Sequence, residues 1–118
     1  MSSQDNEQVP FLEAPPVEEQ DPRQAIDEAQ DRVRRAFGKV LKAARTSRSM
    51  SQQSLADSAG ADRSYLSMLE RGLQQPTLAM LLRIAKALST DPEKLVTATI
   101  ERLEADNASA SEADRQAA

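Results

Sequence analysis

Apolar residues recur at intervals of three and four along the middle of the chain, with polar residues between them. The first such stretch covers about residues 27 to 46, and Gly38 is a weak point within it. The apolar residues on its one face are Val33, Phe37, Val40, Leu41 and Ala44. This period is that of an α-helix with one buried face. The period-two alternation of a half-buried strand is found nowhere in the sequence, so the pattern predicts an all-α fold.

A short second helix is predicted over about residues 51–59. Ser51 is a suitable N-cap for it, and Met50 and Leu55 have the spacing of a hydrophobic staple across its first turn. Gly60 follows directly, and glycine adopts the left-handed backbone conformation without strain. We therefore expect this helix to end at Gly60.

A third helix is predicted over residues 62–71, with Asp62 as its N-cap and Gly72 as its end. Its buried face would consist of Leu66, Leu69 and part of Tyr65. The proline at position 76 prevents the helix from continuing.

Two further helices complete the predicted domain. Thr77 is the N-cap of the fourth, and the pair Asp91-Pro92 has the cap and first-turn signature of the fifth. The residues expected to face inward from the fourth helix are Leu78, Leu81, Leu82, Ala85 and Leu88. The apolar residues of the fifth helix are Leu95, Val96, Ile100 and Leu103.

Both ends of the chain lack this periodicity. Residues 1–26 are acidic and interrupted by prolines, and residues 104–118 consist mainly of Ala, Ser, Asp and Glu. Too little apolar surface is present in either segment to offset the cost of ordering the backbone. We expect two disordered acidic tails around a compact five-helix domain over residues 27–103. The isolated apolar residues of the first tail are Phe11, Leu12 and Val17.

The composition excludes several classes of function. A length of 118 residues sets a prior of one domain, and there is no cysteine or histidine. Disulfides, thiolate or imidazole metal sites and catalytic pairs that need His or Cys are therefore excluded. We expect neither an enzyme nor a cofactor. No apolar run approaches the roughly 20 residues of a membrane span, and the N-terminus is polar, so a cytoplasmic location is expected.

The formal net charge of −4 conceals an uneven distribution. Residues 1–30 carry eight acidic groups and one basic group, whereas residues 31–103 carry thirteen basic and seven acidic groups. Residues 104–118 carry four acidic groups and one basic group. The basic residues concentrated in one short stretch are Arg32, Arg34, Arg35, Lys39, Lys42, Arg45 and Arg48. A basic centre is typical of nucleic-acid contact, although a solvated helix face gives the same pattern.

The second and third helices have the features of a DNA-binding pair. Two steeply crossing helices need a small residue where their backbones approach, and Ala56 is in that place. Leu55, Leu66 and Leu69 would hold the third helix against the core, so that its opposite face protrudes. A protruding helix fits the major groove of DNA.

These residues resemble the Cro/C1-type (XRE-like) helix-turn-helix family of regulators. The resemblance covers about half the chain, from Phe37 to Val96. The matching runs are Ser51-Gln52-Gln53-Ser54-Leu55-Ala56, Gly60, Tyr65-Leu66-Ser67, Leu69-Glu70-Arg71-Gly72 and Pro76-Thr77-Leu78. The resemblance implies a five-helix, lambda-repressor-like DNA-binding domain. The Tyr65 and Glu70 runs are similar both to restriction-modification controllers and to stand-alone regulators.

The resemblance also implies roles for individual residues. Helix 62–71 would be the recognition helix, with Arg63 the best candidate to bind a guanine through two hydrogen bonds. Tyr65 would either hydrogen-bond a phosphate or simply pack. The candidate DNA-contacting residues are Gln52, Gln53, Arg63, Ser64, Tyr65, Ser67, Met68, Arg48, Arg71, Gln74, Gln75 and Thr77. Arg45 and Glu70 match a pair that forms a structural salt bridge between the first and third helices.

The function expected from these features is sequence-specific regulation of transcription by a homodimer bound to double-stranded DNA. The fifth helix would supply the dimer surface through Leu95, Ile100 and Leu103, unless these residues only close the monomer core. Two inverted half-sites are expected, because one such domain reads few base pairs.

The alternative is an antitoxin or interaction module that binds a regulatory partner protein through its acidic tail and controls its own promoter. The tails would also either repel DNA or cover the basic face. One departure from the family pattern is Leu73-Gln74-Gln75, where a cation is common, and this predicts a weaker salt dependence.

Overall fold

The computed structural model describes residues 21–117, and the side chains of residues 21–110. All regular structure in this range is helical: α1 (Pro22–Ser47), α2 (Gln52–Ala59), α3 (Arg63–Glu70), α4 (Leu78–Ala87) and α5 (Pro92–Ala117). The predicted all-α fold of five helices is confirmed. No helix within this part of the chain combines the length and the apolar character needed to cross a membrane.

The first helix begins earlier than the sequence analysis predicted, at Pro22 instead of near residue 27. The Asp21 side chain accepts a hydrogen bond of 3.0 Å from the backbone N–H of Arg23. Proline fits the first helical position because its fixed φ suits the helix and its missing N–H would have no partner there. Residues 22–26 are therefore helix and not tail. The predicted disorder of residues 1–20, and docking through Phe11, lie outside the described residues.

The fifth helix ends later than predicted. The expected change from helix to irregular tail at residue 104 is not found, because α5 continues through Ala117. Alanine has the highest helix propensity, and Arg102 pairs with Asp106 one turn further on at 3.1 Å. Lys39 of α1 also pairs with Asp106, at 3.4 Å. The sequence of these last turns has no apolar stripe, so the periodicity could not predict that they are helical.

The core lies where all five helices meet. Its buried residues are Phe37, Leu41, Leu55, Ala56, Ala59, Leu66, Leu69, Ile84, Ala85, Leu88 and Leu95. Helices of eight residues, such as α2 and α3, are marginal in isolation, so packing against this core holds them in place.

Two residues predicted to face inward from α4 are exposed instead. Leu78 is 72% exposed and Leu82 is 48% exposed, whereas Ile84 is fully buried. At about 100° per residue, Leu81, Ile84, Ala85 and Leu88 form one stripe, and Leu78 and Leu82 lie on its flank. The sequence analysis placed the centre of the stripe too far toward that flank.

The predicted helix ends around the α2–α3 pair are mostly confirmed. Ser51 Oγ accepts a hydrogen bond of 3.0 Å from the Ser54 N–H, and Thr77 Oγ1 accepts one of 3.1 Å from the Met80 N–H. Gly60 and Gly72 both have left-handed φ angles, of 72° and 76°. Asp62 has the backbone conformation of an N-cap, but its side chain makes no capping hydrogen bond.

Gly38 is the point of closest approach between α1 and α3. A Cβ atom at this position would lie 2.5 Å from the Glu70 carbonyl oxygen and 2.6 Å from that of Leu69. Glycine has a low helix propensity, but packing requires it at position 38. Any side chain there would push the C-terminal end of α3 away.

Candidate nucleic-acid interface

Helix α3 presents one face to the core and the other to solvent. Leu66 and Leu69 are completely buried, whereas Arg63 and Ser64 at its N-terminal end are exposed. Ser67 and Met68 are half-buried on the flanks. The helix is thus held on the surface of the domain with Arg63 and Ser64 as its most accessible side chains.

Tyr65 packs against the core. Its half-buried ring borders a shallow depression together with Asp62, Gly60 and Met80. Two roles were considered for Tyr65, and the structure shows the one in which it packs against the core. A contact between its hydroxyl and DNA stays a prediction.

Arg45 and Glu70 form a two-point ion pair between α1 and α3. Arg45 Nε lies 2.5 Å from Glu70 Oε2, and Arg45 Nη2 lies 3.0 Å from Glu70 Oε1. The side chains are only 10% and 4% exposed. The hydrogen bond and the charge of Glu70 raise the pKa of Arg45 above its ordinary value, despite the opposing effect of burial. The guanidinium therefore stays charged and fixes α3 against α1.

The start of α2 belongs to the same network. Arg45 Nη1 donates to the Met50 carbonyl at 2.8 Å, and Gln52 Nε2 donates to Glu70 Oε1 at 3.0 Å. The sequence analysis listed Gln52 among the candidate DNA contacts and did not predict this internal partner. An amide nitrogen carries two hydrogens, so one N–H of Gln52 is left for an outside acceptor. The neighbouring Gln53 donates to Asp57 at 2.9 Å on the exposed side of α2.

The predicted contacts that follow α3 have different surroundings. Arg71 and Gln74 are exposed in the loop directly after the helix. Gln75 and Thr77 instead border an apolar groove between α4 and α5, to which no residue of α3 contributes. Thr77 also uses its hydroxyl oxygen to cap α4.

The apolar groove lies between the start of α4 and the middle of α5, against α1, and has a volume of about 480 Å³. Its rim includes the exposed side chains of Leu78, Val96 and Ile100. Of the three residues predicted to form a dimer surface, Leu95 is buried in the core and is unavailable for a dimer contact. Ile100 is 49% exposed, and Leu103 is half-buried in the groove.

Much of the basic stretch of α1 faces acidic groups of the protein itself. Arg32, Arg35 and Lys39 line a cleft with Asp106 of α5. Arg34 pairs with Asp31 one turn earlier in α1. The concentration of positive charge is therefore a weaker sign of DNA contact than the sequence indicated.

Arg48 follows the last turn of α1. It is exposed, donates to the Ala44 carbonyl at 3.4 Å, and borders a cleft with Thr90 and Lys94 near α5. None of the α3 residues lines this cleft. Arg48 is nevertheless close in sequence to the N-terminus of α2, so a phosphate contact from it stays a prediction.

Arg83 is a residue that the sequence analysis missed. Its Nε donates to the Ala59 carbonyl at 3.2 Å, and its Nη2 donates to the Gly60 carbonyl at 3.1 Å. It thus joins α4 to the turn between α2 and α3. These partners are separated by more than twenty positions in the chain, and no local pattern identifies such a contact.

Comparison with known proteins places these features in a family. Residues 41–95 match the helix-turn-helix family profile. An uncharacterised HTH-type transcriptional regulator of Sinorhizobium fredii, y4dL, is 40% identical over 75 residues, which cover 60% of this chain and 37% of that protein. The chain spans about two fifths of the length of the curated relatives it matches.

Two solved structures share the fold. The restriction-modification controller protein C.AhdI of Aeromonas hydrophila is 39% identical, with 52% of this chain and 94% of that chain covered and a TM-score of 0.52. The controller protein C.Esp1396I, solved as a tetramer with its natural 35 base-pair operator, is 27% identical, with 60% and 93% covered and a TM-score of 0.56. The residues that determine the α2–α3 arrangement lie inside the matched region, and the chain belongs to the XRE-type helix-turn-helix family.

Proposed function

We propose that this protein is a sequence-specific DNA-binding regulator of transcription whose helix α3 enters the major groove. The observation that carries the proposal is the way in which α3 packs on the domain. Leu66 and Leu69 attach the helix to the core, and Arg63 and Ser64 are left exposed at its N-terminal end. In helix-turn-helix proteins the N-terminal residues of the second helix contact base edges.

Arg63 is the proposed source of base specificity. Its guanidinium can donate two parallel hydrogen bonds to the N7 and O6 atoms of guanine. Ser64 and Ser67 discriminate less, because a hydroxyl both donates and accepts. Met68 can contact only an apolar group such as the thymine methyl.

The proposed backbone contacts surround α3. The second N–H of the Gln52 side-chain amide and the backbone N–H groups of the first turn of α2 that its Ser51 cap does not bind suit a phosphate. Arg71, Gln74 and Arg48 are exposed and can reach the DNA backbone as the protein docks. Gln53 and the Tyr65 hydroxyl would make secondary contacts. Gln75 and Thr77 border the apolar groove and are assigned to that surface instead.

We further propose that two copies bind an inverted repeat. A single α3 reads only a few base pairs, and two half-sites about 10 base pairs apart provide useful specificity. The apolar groove with Leu78, Val96 and Ile100 on its rim is the surface proposed to join the two copies. The structure of C.Esp1396I as a tetramer with its operator supports the proposal that copies of this chain also assemble on DNA.

Substitution of Arg63 tests the proposal. The full chain is used to select its preferred duplex from a random library, and affinity for that duplex and for a random duplex is measured by fluorescence anisotropy. Arg63→Ala should weaken binding to the selected duplex by about 5- to 150-fold, which corresponds to one good bidentate base contact. Affinity for the random duplex should change much less.

Arg23→Ala is the matched control, since it also removes one exposed arginine but lies at the first turn of α1. It should leave the preference for the selected duplex unchanged. The proposal is wrong if Arg63→Ala retains that preference, or if selection with the wild-type chain enriches no sequence.

A further inference from the structure

The turn between α2 and α3 is held from outside by Arg83 of α4. Helix α2 ends in a left-handed Gly60, whose N–H bonds to the Asp57 carbonyl at 3.3 Å. The N–H of Ala61 bonds to the Ala56 carbonyl at 2.9 Å. These two bonds form the usual glycine-terminated end of a helix and leave the last carbonyls without helical partners.

Arg83 supplies partners for two of those carbonyls. Its guanidinium bonds to the carbonyl oxygens of Ala59 and Gly60, at 3.2 and 3.1 Å. A cation at the C-terminal end of a helix is also favoured by the helix dipole. The contact is closely fitted, because a Cβ atom at Gly60 would lie 2.8 Å from Arg83 Nη2. Gly60 thus provides both the left-handed turn and the space for the guanidinium.

This contact acts at the point that sets the direction of α3. The recognition helix begins at Arg63, three residues after Gly60. Rotation of the turn changes the angle at which Arg63 and Ser64 are presented, and base contacts tolerate little misplacement. The side chain of Asp62 adds no capping bond on the α3 side of the turn.

We propose that Arg83 is a positioning residue for DNA recognition. Its hydrogen bonds to the Ala59 and Gly60 carbonyls fix the turn and thereby set the orientation of α3. The inference rests on the proposed function. Arg83 itself need not touch DNA, and it determines specificity through the orientation of Arg63.

The test uses three full-length variants, Arg83→Ala, Arg83→Lys and Lys86→Ala. Lys86 is exposed on the same helix, so its removal changes the net charge by the same amount. Affinities for the selected and the random duplex are measured over a range of salt concentrations. Thermal unfolding is followed by circular dichroism, so that every assay is run where each variant is folded.

Arg83→Ala should reduce the ratio of specific to random affinity by about tenfold, comparable with the loss of one base contact. Arg83→Lys should recover part of the ratio, because one ammonium can still reach a carbonyl oxygen. Lys86→Ala should leave the ratio at the wild-type value. The dependence of log affinity on log salt should have the same slope for Arg83→Ala as for the wild type.

Two results would overturn the inference. An unchanged ratio in Arg83→Ala means that the residue only stabilises the fold, since loss of folded protein lowers both affinities equally. A slope that falls by about 0.9 means that Arg83 neutralises a phosphate directly. Either result leaves the proposed function intact as long as the wild-type chain prefers its selected duplex.

Discussion

The Arg45 guanidinium makes contacts with two parts of the fold outside α1. It binds both carboxylate oxygens of Glu70 in α3 and the carbonyl of Met50 ahead of α2. Glu70 in turn accepts from Gln52. One buried ion pair thus determines how both helices of the DNA-binding pair lie on α1. Burying a charge is costly unless it is paired, so the two residues depend on each other.

Removal of Arg45 should strongly destabilise the protein. Arg45→Ala leaves the nearly buried carboxylate of Glu70 without its partner, and we expect a loss of about 3–5 kcal/mol in the free energy of unfolding. Lys42→Ala removes an exposed cation from the same helix and should change the stability by less than about 0.5 kcal/mol. Urea denaturation measures both. Equal stabilities of the two variants would show that the ion pair does not support the fold.

Residue-scale features were predictable from the sequence only where their cause is local. The exposure of Arg63 and Ser64 follows from the positions of Leu66 and Leu69 in the same short helix. The need for Gly38 does not, because the backbone it avoids belongs to residues more than thirty positions away. The contacts of Arg83 and the internal partner of Gln52 are of the same long-range kind.

Helices start at side chains that satisfy backbone N–H groups. Ser51 and Thr77 each accept a hydrogen bond from the N–H three residues further on, and Asp21 accepts one from the residue two positions on. The pair Asp91-Pro92 predicted the start of α5, whereas the same pair at Asp21-Pro22 was assigned to a tail because of its acidic, proline-containing surroundings. Helix ends were harder to predict, since the last turns of α5 have no apolar face to mark them.

The predicted caps of α2 and α3 should differ in energy. Ser51→Ala removes a hydrogen bond of 3.0 Å at the start of α2 and should cost about 1 kcal/mol in the free energy of unfolding. Asp62→Ala should cost clearly less, because the Asp62 side chain makes no capping bond at the start of α3. Chemical denaturation of the two variants compares them directly. An equal or larger loss for Asp62→Ala would mean that its carboxylate caps α3 in solution.

On the scale of the whole molecule, charged and apolar surfaces occupy different places. Arg32, Arg35 and Lys39, near the middle of α1, line a cleft with Asp106 of α5. Three of the exposed large apolar side chains, Leu78, Val96 and Ile100, lie at the rim of the groove between α4 and α5. Exposed apolar side chains grouped in this way are the reason the groove is the proposed interaction surface. No residue of α3 lines the groove, so a dimer joined there would leave α3 of each copy free for the proposed contact with DNA.

A charge placed in the groove should separate the dimer. Ile100→Glu would bury a carboxylate in the interface, so we expect monomers at concentrations where the wild type is dimeric. Thr97→Glu adds the same charge to an exposed position of α5 that does not line the groove, and it should remain dimeric. Sedimentation velocity distinguishes the two states. A dimeric Ile100→Glu, or a monomeric wild type, would place the interface elsewhere or exclude it.

The entry of α3 into the major groove is tested most directly by methylation protection of guanine N7, an atom that only the major groove exposes. The wild-type chain, bound to its selected duplex, should protect one guanine N7 in each half-site. Arg63→Ala, at concentrations that saturate the duplex, should leave that same guanine reactive and the other protected positions unchanged. Identical protection by both proteins, or no N7 protection by the wild type, would contradict the assignment of α3 as the recognition helix.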